Sequence, residues 1–140
     1  MKPETAKTWH PLKDGLDRRE WMAQRLEDRS FSGIPDVNIH IPDVGDIWVE
    51  LKYHARCPVR SVHLGLSKQQ AAWLISNQRA GRRCLLLCRI EKKWYGWKTE
   101  EGYRAASCSY LWQELLTLVD FVYDDVDLVL DYLGGKINGT

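Results

Sequence analysis

A chain of 140 residues, 44% of them hydrophobic, is the size of one domain and long enough to bury most of its apolar surface in a single core. No apolar run reaches membrane length and Met1-Lys2-Pro3 opens no signal-peptide pattern, which argues against a membrane protein and predicts a cytoplasmic one. The net charge of +1 is unevenly divided: residues 1–98 carry eighteen Lys and Arg against eleven Asp and Glu, a balance of +7, while residues 99–140 carry two against eight, a balance of −6. A basic body beside an acidic end suits a phosphate-binding surface next to a segregated tail or dimer element.

Residues 1–12, with Pro3 and Pro11, read as an irregular lead-in. Leu16, Trp21, Met22, Ala23 and Leu26 predict a first helix from about Asp14 to Asp28, broken by Ser30-Phe31-Ser32-Gly33. Two alternating runs then flank Asp43, Gly45 and Asp46, the signature of a β-hairpin. A loop follows from His54 to Gly65. Ser67, with Gln70 three residues later, is a capping box that opens a second helix, and Gly81 closes it as the C′ residue. Arg83 to Ile90 is a third strand, Glu91-Lys92-Lys93 a turn and Trp94 to Lys98 a fourth strand, with Gly102 to Ala105 a candidate fifth. Short helices over about Tyr110–Leu118 and Asp124–Leu133 precede a disordered Gly134-Gly135 tail.

Four cysteines with seven tryptophans fit a reducing compartment rather than a stapled secreted fold. Cys84 and Cys88 fall on the buried third strand. Zinc is the alternative, but Cys57, Cys108 and the four histidines lack ligand spacing. The tryptophans at 94, 97 and 112 read as core or dimer surface rather than as stacking platforms.

A hairpin centred near Asp43 sets Asp36 opposite Glu50, Asn38 opposite Trp48 and His40 opposite Asp46. With period two along each strand, Val37, Ile39, Ile41, Ile47, Val49, Leu51 and Tyr53 share the other face, which is almost wholly apolar. The polar face then holds two carboxylates roughly 5 Å apart with the Lys52 ammonium one pleat away. Such a set suits a hard, oxygen-seeking cation. Lys52 is left to act on whatever that cation holds.

These residues carry a resemblance. Gly33-x-Pro35-Asp36, Glu50-Leu51-Lys52, Leu66-Ser67-Lys68-Gln69-Gln70 and Gly81 resemble the PD-(D/E)XK nuclease superfamily. Within it they are similar to the small VRR-NUC and Holliday-junction-resolvase-like nucleases, many of them carried by phages. The match spans about residues 20–90; residues 99–140 carry none. The resemblance implies an α/β fold with a restriction-endonuclease-like αβββαβ-type core, its central mixed sheet flanked by helices; the element order read above is α-β-β-α-β-β. It implies one nuclease domain over residues 1–140, with a core over about 14–98 and an acidic helical segment over about 106–135.

The resemblance also assigns roles. Asp36, Glu50 and the Leu51 carbonyl hold Mg²⁺, for which Mn²⁺ can substitute, with no small-molecule cofactor, and Lys52 attends the attacking water or the phosphate. A first-helix carboxylate joins them, Glu27 by preference and Glu20 otherwise. Gln70 reaches toward the site, or serves only its capping box. Arg18, Arg19, Arg25, Arg29, Arg56, Arg60, His63 and Lys68 are expected to hold DNA backbone, with Lys68 and Gln69 at a helix N-terminus that suits phosphate. The expected function is a metal-dependent, structure-selective DNA endonuclease acting on branched DNA such as a four-way junction. A homodimer supplies its two active sites, in the host cytoplasm if it is phage-encoded. The alternatives are a monomeric nuclease of flaps, ends or nicks, and an inactive DNA-binding or inhibitory protein on the same fold.

Overall fold

A computed structural model describes residues 2–26 and 33–135. The chain begins in a helix, not in an irregular lead-in. A wide π turn over Thr5–Trp9 runs into α1, His10–Arg19. Pro11 has no N–H to offer the Lys7 carbonyl one turn back, and Arg89 Nη1 donates to that carbonyl instead at 2.8 Å. The helix stops eight residues before the expected Asp28, at Glu20, whose backbone is left-handed with φ of 59°.

Met22–Arg25 is therefore strand β1 rather than helix, paired antiparallel with β2, Val37–Ile41. β2 pairs antiparallel with β3, Gly45–His54, in the expected register: Asn38 faces Trp48 and His40 faces Asp46. After a two-residue strand β4, Ser61–Val62, comes α2, Lys68–Arg79. Ser67 and Gln70 form its capping box in both directions. β5, Arg83–Ile90, lies parallel to β3 and antiparallel to β6, Lys93–Trp97.

The expected fifth strand at Gly102–Ala105 is instead helix α3, Glu100–Ala106. The Thr99 side chain accepts the Gly102 N–H and so caps its first turn. The short strand β7, Tyr110–Leu111, pairs with β4 and leads into α4, Trp112–Leu118. β8, Phe121–Tyr123, joins the edge of the main sheet beside β6, and α5, Val126–Leu133, is the last element among the described residues. Gly134 and Gly135 are not a loose tail: their N–H groups donate to the Leu130 and Tyr132 carbonyls.

The main sheet runs β1-β2-β3-β5-β6-β8, mixed because only β3 and β5 are parallel, with helices on both faces. On one face Val37, Ile39, Ile41, Ile47, Val49 and Leu51 pack under Leu12 and Leu16 of α1 and Val129, Leu130 and Leu133 of α5. This is the apolar set of the hairpin alternation; Tyr53, which continues it, is only partly buried. On the other face Cys84, Leu86 and Cys88 pack under α2, α3 and α4. Trp94, Trp97 and Trp112 are buried core residues. Burial pushes the Cys84 thiol up to about 11 and raises that of Cys88 further, while Cys57 and Cys108 are exposed.

Among the described residues no helix is long and apolar enough to cross a membrane.

Candidate functional site

The hairpin register delivers its polar residues to one end of the sheet. Asp36 immediately precedes β2 and is 8% exposed; Glu50, on β3, is 1% exposed. Asp36 Oδ2 accepts the Leu51 N–H at 2.9 Å, so this carboxylate also terminates the ladder that holds Glu50 and Lys52. Lys52 Nζ lies 3.2 Å from Glu50 Oε2, and Gln70 Nε2 donates to the same oxygen at 3.0 Å. Gln70 Oε1 in turn accepts the Ser67 N–H at 2.9 Å. One amide thus serves the helix cap and the buried carboxylate together.

Gly33 explains how the strand comes so near the helix. Its φ is +91°, and a Cβ there would meet the Gln69 carbonyl oxygen at 2.6 Å. Only glycine lets the Gly33-Ile34-Pro35-Asp36 backbone pass against the first turn of α2.

A cleft of about 670 Å³ opens over this end, lined by Lys2, Glu4, Thr5, Arg25, Leu26, Asp36 and Lys52. Glu4 is the finding here. Of the expected first-helix carboxylates, Glu27 lies outside the described residues, and Glu20, exposed at the far end of α1, does not line the cleft. Glu4 does, because the helix begins some ten residues earlier than its periodicity indicated. Burial is the main cause of the raised Cys88 thiol. Lys52 opposes that rise and Glu4 adds to it, so both charges act on this one neighbourhood. Pro3 was the available signal, since proline is favoured in the first turn of a helix.

The basic residues divide. Arg25 lines the cleft, donates to Thr5 Oγ1 at 3.3 Å and lies over the Trp9 ring. Arg56, Arg60 and His63 are exposed on the segment between β3 and α2, and Lys68 is exposed at the first turn of α2. Arg29 lies outside the described residues. Arg18 and Arg19, expected among the DNA contacts, face α5 instead: Arg18 pairs with Asp127 at 3.3 Å and Arg19 with Asp131 at 2.8 Å. A second cavity of about 530 Å³, at the opposite end of β5, is lined by Arg82, Arg83 and Lys98 and by no carboxylate among the described residues.

No group of three or more His, Cys, Asp or Glu side chains among the described residues is spaced to hold a metal ion. The donor chemistry nevertheless fits a hard cation: two buried carboxylates, Asp36 hydrogen-bonded to the Leu51 N–H and Glu50 on the residue before Leu51, with Glu4 on the cleft wall.

No family model matches the chain, and no curated protein matches it. A solved structure does: Hjc, a Holliday junction resolvase from the archaeal hyperthermophile Archaeoglobus fulgidus. It aligns with a TM-score of 0.50 over 70% of this chain and 78% of its own, at 17% sequence identity. The fold is restriction-endonuclease-like. At that identity the likeness is one of architecture: a mixed sheet with helices on both faces.

Proposed function

We propose that the chain is a single-domain, metal-dependent, structure-selective DNA endonuclease of the PD-(D/E)XK superfamily, acting on branched DNA, with the four-way junction as the favoured substrate. The observation that carries the reading is the trio at one end of β3. Asp36 is hydrogen-bonded to the Leu51 N–H, and Glu50 is 3.2 Å from the Lys52 ammonium and bridged to Gln70, with Asp36 and Lys52 lining a cleft beside Lys2 and Arg25. The fold shared with a Holliday junction resolvase supports it.

In this reading Asp36, Glu50 and the Leu51 carbonyl hold Mg²⁺ or Mn²⁺, and Glu4 takes the place expected of Glu27 or Glu20. The bound ion supplies an activated water and neutralises charge on the scissile phosphate. Lys52, 3.2 Å from Glu50, would orient the phosphate and offset its developing charge. Gln70 fixes the Glu50 carboxylate. Arg25, Arg56, Arg60, His63 and Lys68 hold the DNA backbone, with Arg29 a further candidate. A homodimer would present two such sites to a symmetric junction.

A monomeric nuclease of flaps or ends is the second reading. Leu115, Val126, Val129, Leu130 and Leu133 are buried within the chain itself, which removes them as material for a dimer surface. Labelled four-way, flap, splayed and linear DNAs incubated with Mg²⁺ or with EDTA test the proposal. Mg²⁺-dependent paired nicks in the junction are expected; no cleavage of any of the DNAs would refute it.

A further inference from the structure

We propose that Val59, near the tip of the segment joining β3 to α2, is a wedge that packs against the unstacked bases where a DNA duplex branches; the proposal rests on the nuclease reading above. Both ends of the segment are tied to the site. It leaves β3 at His54, two residues after Lys52. It returns through Gly65, where an added Cβ would lie 3.7 Å from Lys52 Cδ, to Ser67, which caps the helix bearing Gln70. Between those ends the stem is closed on itself and fastened to neighbouring parts of the chain. His54 Nε2 lies 3.1 Å from the Leu64 carbonyl, the Cys57 N–H donates to Glu91 at 3.0 Å, and the Arg60 carbonyl accepts the Trp112 N–H at 2.8 Å. Ser61 and Val62 pair with Leu111 and Tyr110. Pro58 further narrows the backbone just before Val59.

What this held segment offers to solvent is apolar. Val59 is 87% exposed, the most exposed large hydrophobic among the described residues, and Leu111, 53% exposed, sits across the small sheet from Ser61. A lone exposed valine is ordinary. This one is bracketed by two exposed arginines, Arg56 and Arg60, within five residues of chain. An apolar tip between cations is complementary to a base step between phosphates, the arrangement used by proteins that unstack and kink a duplex.

Reach agrees. Seven residues of extended chain keep Val59 within roughly 25 Å of Lys52, which is about seven stacked steps at 3.4 Å each. A continuous duplex must unstack to admit a valyl group, whereas a branch already interrupts the stack. Val59 therefore discriminates by shape, while Arg56 and Arg60 bind without discriminating.

The test uses the whole protein and a four-way junction with 2-aminopurine beside the branch, first in EDTA so that nothing is cut. Wild type is expected to raise the fluorescence severalfold on binding. Val59→Ser should lose most of that rise and at least tenfold of the preference for junction over linear duplex, with linear-duplex affinity unchanged within twofold; Val59→Ile should retain both. Binding by wild type without a rise, or an undiminished rise with Val59→Ser and with Val59→Ser/Leu111→Ser, would overturn the wedge and leave the nuclease reading intact. A Val59-dependent rise without any cleavage when Mg²⁺ is added would uphold the wedge and overturn the catalytic reading. Failure to bind branched DNA would overturn both.

Discussion

Gln70 Nε2 sits 3.0 Å from Glu50 Oε2, while Gln70 Oε1 accepts the Ser67 N–H at 2.9 Å. The second bond fixes which end of the amide faces the carboxylate. The helix cap therefore orients a donor onto a buried acid, and folding and site geometry share one side chain. Gln70→Ala removes both bonds. Losing a hydrogen bond to a buried carboxylate and half a capping box should cost about 1.5–3 kcal/mol. Urea unfolding measures it, and a loss below about 0.5 kcal/mol, the range of an ordinary surface substitution, would show that the amide does not hold Glu50 in solution.

Asp36 carries a similar double duty, which changes how it should be tested. Because Asp36 Oδ2 accepts the buried Leu51 N–H, Asp36→Ala strands that donor and should destabilise the fold by about 1–3 kcal/mol. Asp36→Asn keeps an acceptor oxygen and should lose much less. Both should abolish metal-dependent cleavage. Stability and activity are thus expected to separate in the Asn variant, and wild-type cleavage by it would remove Asp36 from the cation site.

Glu4 and Glu20 stand sixteen residues apart on one helical segment, roughly 24 Å at 1.5 Å per residue, so they cannot serve the same site. A cation that binds only the native state raises stability, by about 1.4 kcal/mol at ten times its Kd. Addition of Mg²⁺ or Mn²⁺ should therefore raise the Tm of the wild type. Glu50→Gln and Glu4→Gln should shrink that rise and Glu20→Gln should leave it unchanged, all read by calorimetry without DNA. An unaltered rise with Glu4→Gln would remove Glu4 from the cation site and return the choice to Glu27.

The hairpin was legible because two alternating runs bracket a polar turn, and a slip of one residue would have turned Ile39 and Val49 outward. α2 was legible from Ser67 and Gln70. The first helix was not. Met22-Ala23-Gln24-Arg25 are good helix formers placed in helical phase with Leu16, and pairing with β2 overrides that preference once Glu20 turns left-handed. That misreading concealed Glu4, since a helix thought to begin near Asp14 has no first turn at Pro3. The register of Asp36 and Glu50 depends only on short-range alternation; the cleft wall depends on where a distant terminus packs.

The four thiols fall into two classes. Cys84 and Cys88 are buried, the first held up at about 11 and the second raised further by burial, while Cys57 and Cys108 are exposed. A chromogenic disulfide reagent at pH 8 should react promptly with two thiols in the native protein and with four in denaturant, because the thiolate is the reactive form. Cys57→Ser/Cys108→Ser should abolish the fast phase; prompt reaction of that variant would contradict the packing of β5.

Salt dependence tests the basic walls. Arg56 and Arg60 are exposed, and neither guanidinium pairs with a carboxylate among the described residues. Their guanidinium groups are therefore available to phosphate, unlike those of Arg18 and Arg19, which α5 occupies. Each phosphate contact releases counterions and contributes about 0.9 to the slope of log K against log salt on B-DNA. Arg56→Gln/Arg60→Gln should lower that slope by roughly 2 on linear duplex if both contact phosphate. Arg18→Gln should leave it within error and instead loosen the contact between α1 and α5. Fluorescence anisotropy between 50 and 200 mM salt, a range of roughly the width used for such slopes, reads all three proteins. An unchanged slope in the Arg56/Arg60 variant would move the DNA path off the β3–α2 segment and onto the Arg25 side of the cleft.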